Sequence, residues 1–139
     1  MKIKLLITIA FLIVGFVVFR SITGYSPIAD KKPWPVPDKD KNMVNPVKAE
    51  AASIAEGKTL WAKHCQSCHG KSGMGDGSKA AQLKTEPGDF SKPVTQSQTD
   101  GSLFYKSTQG RDDMPTFKKK IPDADDMWNI VNYIRTLKK

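Results

Sequence analysis

A chain of 139 residues has room for one domain plus appendages, and its 39% hydrophobic content is partly taken up by the first twenty residues. The net charge of +8 is uneven: residues 1–49 hold eight Lys/Arg against three Asp, whereas residues 50–139 hold fourteen against eleven acids. A basic tail on a nearly balanced domain gives a nucleic-acid-binding function little to stand on, and a domain of ~90 residues has a modest core that a bound group would help to fill.

Residues 1–20 read as an N-terminal transmembrane anchor. Lys2 and Lys4 precede an apolar run from Leu5 to Phe19, interrupted only by Thr8 and Gly15. As a helix, residues 3–19 span ~26 Å, just short of a ~30 Å hydrocarbon core. A cleavable signal peptide is the competing reading, but Ser21-Ile22-Thr23 and Gly24-Tyr25-Ser26 match a small-x-small exit site poorly. No cysteine lies near the run, which excludes a lipoprotein anchor. Charge does not set the orientation, because Arg20, Lys31 and Lys32 balance Lys2 and Lys4.

Residues 21–48 read as a tether. Pro33-Trp34-Pro35-Val36-Pro37 favours a stiff, extended backbone, and Pro27 and Pro46 lie on either side. Two readings of Trp34 stand together. It belongs to a disordered spacer, or it docks on a neighbouring subunit or the membrane surface.

Residues 49–139 read as an all-α domain. Ser53-Ile54-Ala55-Glu56 has the form of a capping box, predicting a helix from about Ile54 into the cysteine motif. Gly57 and Trp61 share a face of it. Then comes Cys65-Gln66-Ser67-Cys68-His69, with the only two cysteines and one of the two histidines. This is the C-x-x-C-H pattern of covalent c-type haem attachment. Each thiol adds to a haem vinyl group, one helical turn brings both sulfurs to one porphyrin edge, and His69 becomes the proximal ligand. Other chemistries fit less well. A redox dithiol wants a thioredoxin-like βαβ setting, and no strand pattern surrounds the motif. A zinc cage from His64, Cys65, Cys68 and His69 is too crowded. A plain disulfide leaves His69 unexplained. His64, tied to the proximal side, reads as a surface histidine.

Gly70, Gly73, Gly75 and Gly77 mark a turn-rich loop whose glycines would let backbone approach the macrocycle. Ala80–Lys84 suits a short helical turn. Leu83 and Phe90 are candidates to cover the ring. The acceptor for the proximal Nδ1–H is expected in this stretch, at a carbonyl such as that of Pro87. Residues 100–109 read as a helix capped by Thr99 or Asp100 and stopped by Gly110. Leu103 and Phe104 face inward, and Tyr105 lines the haem pocket or meets a propionate.

Met114 is the candidate sixth ligand. It lies 45 residues after His69, and Pro115 pushes it out of the helical region into an extended loop. Met1 and Met43 lie outside the domain, Met74 is too near His69, and Met127 belongs to a helix face. The plainer alternative is that Met114 is a packing residue. Lys118-Lys119-Lys120 is a solvated loop or part of a docking rim. Pro122-Asp123 opens the last helix, with Met127, Ile130, Val131, Ile134 and Leu137 as its apolar stripe and Trp128 and Tyr133 beside it. It should cross the first helix near Gly57.

Taken together, Gly57-x-x-x-Trp61, Cys65-x-x-Cys68-His69-Gly70, Met114-Pro115 and a last helix with Trp128 and Tyr133 resemble the class I, mitochondrial-type cytochromes c over residues 50–138. Gly73-x-Gly75-Asp76-Gly77 and Asp100-Gly101-x-Leu103-Phe104 further resemble the monohaem subunits of bacterial respiratory complexes such as alternative complex III. Those subunits are often lipoproteins, and this chain departs from them in having no lipidation cysteine. The resemblance implies a cytochrome c fold, with small helices wrapped around one covalently attached haem c. It also implies attachment outside the cytoplasm, so the haem domain would face the periplasmic or external side of the inner membrane.

The function expected is that of a one-electron carrier, held by Cys65 and Cys68 and ligated by His69 and Met114. It would pass electrons between a quinol-oxidising complex and a terminal oxidase or reductase, with no nucleic acid and no small-molecule substrate. A fixed haem subunit of a larger complex is the alternative. A haem peroxidase or gas sensor is the remaining rival; it needs an open sixth position, and Arg111 is the lone distal group for acid–base work.

Overall fold

The last helix and the first long helix meet where the chain omits a side chain. Helix α2 (Ala51–His64) crosses helix α6 (Ala124–Thr136) at Gly57. A Cβ there would overlap the carbonyl oxygen of Asn129 and come within 3.0 Å of the Tyr133 Cβ. The crossing expected near Gly57 is therefore present, and only glycine permits it at this separation. On α6, Met127, Ile130, Val131 and Ile134 are buried, as the 3.6-residue stripe requires, and Trp128 and Tyr133 are buried beside them. Each fully buried aliphatic side chain of this kind contributes roughly 1.5–3 kcal/mol. Trp61, Leu103, Phe117 and Ile121 complete the same core.

The structure, a computed structural model, describes residues 34–139. Pro35–Lys139 forms one compact unit. The transmembrane segment expected over residues 1–20 lies outside the described residues. Among the described residues no helix is long and apolar enough to cross a membrane.

The described elements are helical, in the order α1 (Asp38–Lys41), α2, α3 (Gln66–His69), a 3₁₀ turn (Ala80–Gln82), α4 (Pro93–Gln96), α5 (Asp100–Gln109) and α6. An isolated bridge between Arg111 and Met114 is the extended pairing present. Helix α5 has the predicted bounds. Thr99 caps it by accepting from the Ser102 N–H, and Gly110, at φ 67°, ends it. Asp123 caps α6 by accepting from the Asp125 N–H. Arg135 then ties the end of α6 to the start of α5. Its guanidinium donates to Asp100 at 2.6 Å and to the carbonyls of Gln96 and Gln98 at 2.9 and 2.6 Å.

Two local expectations fail for tertiary reasons. Helix α2 begins at Ala51 with Glu50 as an unassisted cap, so Ser53 stands inside it and closes no capping box. The Ser53 hydroxyl instead accepts from Asn132 at 2.8 Å. Asn132 is 4% exposed and must satisfy its amide internally. It also donates to the Val47 carbonyl at 3.1 Å and accepts from Asn45 at 2.8 Å.

The same residue accounts for the second difference. Residues 35–48, expected as the end of an extended tether, belong to the compact unit. Pro37 caps α1, a position that proline tolerates. The Lys41 carbonyl accepts from the Thr99 hydroxyl at 2.6 Å, and the Asp40 carbonyl lies where a Cβ on Gly101 would be.

Candidate haem site

Cys65 closes α2, its N–H bonded to the Trp61 carbonyl at 2.8 Å, and its own carbonyl accepts from His69 at 3.0 Å. One turn therefore carries Cys65, Cys68 and His69. Both cysteines are free thiols, half-buried. Burial, reinforced by the neighbouring Cys68, pushes the Cys65 thiol up to about 12.

The glycine loop folds back on this turn. Gly75, Gly77 and Lys79 donate their N–H groups to the carbonyls of His69, Cys68 and Ser67 at 2.9, 3.2 and 2.8 Å. A Cβ on Gly77 would overlap the Ser67 carbonyl oxygen. Gly77 thus admits a second stretch of backbone against the cysteine turn, whereas a Cβ on Gly75 would meet the Gly88 backbone. Trp61 locks the arrangement by donating its indole N–H to the Gly70 carbonyl at 3.0 Å.

His69 is 9% exposed. Phe90 meets its ring edge-on at 4.8 Å between centroids, and Trp61 lies at 5.7 Å. Burial holds the imidazole down at about 4, with the Pro87 carbonyl pulling the other way. The ring is thus neutral at physiological pH, the form that binds metals. The Pro87 carbonyl acts on the ring as an acceptor would, but no well-formed hydrogen bond reaches the buried Nδ1. Coordination through Nε2 would leave the Nδ1–H to the Pro87 carbonyl, the acceptor expected in this stretch.

Met114 stands on a short turn. Arg111 and Met114 exchange backbone hydrogen bonds of 2.9 Å in both directions, with Asp112 at φ 52° between them. Gly110 lets this turn lie flat on the end of α5. A Cβ on it would come within 2.5 Å of the Met114 carbonyl oxygen. Thr116 and Phe117 both donate to the Thr108 carbonyl, at 2.8 and 3.1 Å.

Cys65, His69 and Met114 border one apolar cleft, although Met114 follows His69 by 45 residues. Phe90 lines it as expected; Leu83 and Tyr105 do not. Met127, assigned by periodicity to the helix stripe, lines the cleft as well. Ser107, Phe117 and Ile121 also line it and carried no sequence signal of their own, except that Phe117 follows Met114-Pro115 at short range. His64, read as a surface histidine, is partly exposed. Its ring meets Phe117 at 6.1 Å, and burial with Lys63 and Lys120 lowers its pKa.

Two free thiols one turn apart, a buried neutral imidazole and a thioether across an apolar cleft fit a c-type haem. Cys65 and Cys68 would hold it, and His69 and Met114 would supply nitrogen and sulfur to the iron. An all-α fold built around such a turn defines a c-type cytochrome.

Within that class, the chain belongs to the family described as cytochrome c oxidase, cbb3-type, subunit III, whose sequence model matches residues 52–134. No curated protein matches the chain. Among solved structures it is similar to a chain of the Kuenenia stuttgartiensis reducing HAO-like protein complex Kustc0457/Kustc0458. The TM-score is 0.60 at 24% identity, over 79% of this chain and 53% of that one. That likeness is one of fold, and this chain spans about half the length of its neighbour.

Proposed function

We propose that the protein is a one-electron carrier with a single c-type haem, working in a membrane respiratory chain. The haem supplies cycling between ferric and ferrous iron. What carries the reading is that His69 and Met114 line one cleft, so the chain itself would supply nitrogen and sulfur to the iron. An iron held by both residues would exchange electrons and leave no position for a substrate. His/Met ligation also raises the potential relative to two histidines. Arg111, the lone distal candidate for acid–base work, pairs with Asp112 at 3.2 Å and does not line the cleft, which speaks against a peroxidase.

The remaining assignments rest on the sequence. The run from Leu5 to Phe19 anchors the chain in the inner membrane, and the haem domain lies on the periplasmic side. Its partners are a quinol-oxidising complex and a terminal oxidase or reductase. Lys118, Lys119 and Lys120 are exposed next to cleft-lining Phe117, placed to meet an acidic partner there.

One observation favours a second reading, that of a fixed subunit in a larger complex. With residues 35–48 folded into the domain, only residues 21–34 remain to link it to an anchor. Their reach is about 50 Å when fully extended.

The test is optical. Full-length protein matured in a host competent for haem attachment should carry one haem per chain and show, when ferric, the Met–iron charge-transfer band. Met114→Ala should keep the haem and lose the band. A mutant that retains the native ferric spectrum would place the ligand elsewhere.

A further inference from the structure

The turn that presents Met114 is tied by its neighbour to the loop that runs on to Pro87 and Phe90. Asp113 Oδ2 accepts the backbone N–H groups of Lys84 and Thr85 at 2.8 and 3.0 Å. Those two residues lie between the 3₁₀ turn at Ala80–Gln82 and the loop whose Pro87 and Phe90 bear on His69. The bonds cross 29 and 28 positions of sequence. The contacts at Gly110, Thr108, Thr116 and Phe117 hold the turn to its own helix α5, whereas Asp113 joins it to the loop whose Phe90 packs on the histidine.

We propose that Asp113 is a positioning residue for Met114: its carboxylate latches the methionine turn shut by gripping two backbone N–H groups of the histidine-side loop. This rests on Met114 being the sixth ligand. A carboxylate accepting two N–H bonds is charge-assisted, and stronger than a neutral pair. Asp112 in the left-handed region turns the backbone sharply just ahead of it, and Pro115 stiffens it just after. Met114 is thus held between a strained residue, a latch and a proline. The sulfur is kept at hand by the turn, and no side chain needs to bond to it. Because the donors are backbone groups, the side chains of Lys84 and Thr85 are irrelevant to the latch.

The experiment uses the full-length haem protein and added imidazole as a competitor for the methionine. Asp113→Ala should bind imidazole about five- to tenfold more tightly than the parent and lose part of its Met–iron band. Asp113→Asn keeps an acceptor oxygen without the charge and should fall between the two. Lys84→Ala should match the parent. Amide hydrogen exchange at Lys84 and Thr85 should quicken in Asp113→Ala, which reports the latch independently of the iron. Faster exchange with parental imidazole affinity and an unchanged band would overturn the proposal, since the latch would then be structural only. Unchanged exchange would overturn it by showing that the two bonds do not persist. Should Asp113→Ala fail to mature, Asp113→Asn decides the matter by the same readouts. Failure of the ligand reading itself shows separately, as a Met114→Ala protein that keeps its native spectrum.

Discussion

Two methionines border the cleft, and residue chemistry separates them. Met127 is 2% exposed, packed in α6 with Ile130 and Ile134, and its thioether belongs to a helix that cannot move without unpacking the core. Met114 is half-buried on a turn whose backbone already pairs with Arg111. Substitution by leucine nearly conserves volume. Met127→Leu should therefore keep the ferric Met–iron band and cost less than about 1.5 kcal/mol of stability, measured by denaturant unfolding. Met114→Leu should abolish the band with the haem still attached. The opposite pattern would move the ligand to α6. Gly110 bears on the same turn. Alanine there would have to hold φ 67° and would press within 2.5 Å of the Met114 carbonyl. The strain alone is of order 1–2 kcal/mol. Gly110→Ala should weaken the band at a temperature where the rest of the domain is still folded, seen as separate optical and circular-dichroism melts.

At the scale of elements, the crossing of α2 and α6 is the contact that the fold cannot do without. Gly57→Ala would drive a methyl group into the Asn129 carbonyl, and overpacking of this kind costs typically 1–3 kcal/mol. For a domain of this size each kcal/mol lowers the melting temperature by about 4–8 °C, a shift readily measured on the haem-loaded protein. This crossing was legible in the sequence, because Gly57 is four residues from Trp61 and the α6 stripe repeats at helical spacing. The ends of α5 were legible too, since Thr99 and Gly110 act through their immediate neighbours. What was not legible is what depends on distant partners. Ser53 looked like a cap because the sequence cannot show that Asn132 reaches it across 79 positions. Residues 35–48 looked like a spacer because their prolines dominate the composition, while Asn45 and Gly101 act only once α5 and α6 are in place. Asp113 was invisible as a latch because its donors are backbone N–H groups, which leave no mark on the sequence. Asn132→Ala tests the packed arm. It strips partners from Asn45, Val47 and Ser53, and unpaired buried groups cost about 1–3 kcal/mol. The expected result is a lower melting temperature together with faster proteolytic cleavage within residues 35–48, located by mass spectrometry. Cleavage no faster than in the parent would show that the arm is held by α5 alone.

For the molecule as a whole, with residues 1–20 the anchor as proposed, the packed arm would set how far a carrier could travel from it. A flexible segment holds the domain at an effective concentration that falls roughly as the −3/2 power of its length. Doubling the fourteen residues 21–34 with a Gly/Ser insertion should then lower the rate of oxidation by a partner in the same membrane about threefold. The haem spectrum and potential should stay as they were, because the insertion lies outside the compact unit Pro35–Lys139. The rate is read by stopped-flow oxidation of the reduced haem in isolated membranes. Dilution of the membranes should not change it when, as proposed, carrier and partner share one bilayer. A subunit docked permanently on its partner behaves differently, because its haem sits at a set distance from the next acceptor whatever the length of the linker. A rate unmoved by the insertion therefore identifies the fixed subunit, and a threefold fall identifies a tethered carrier that must find its partner at each turnover.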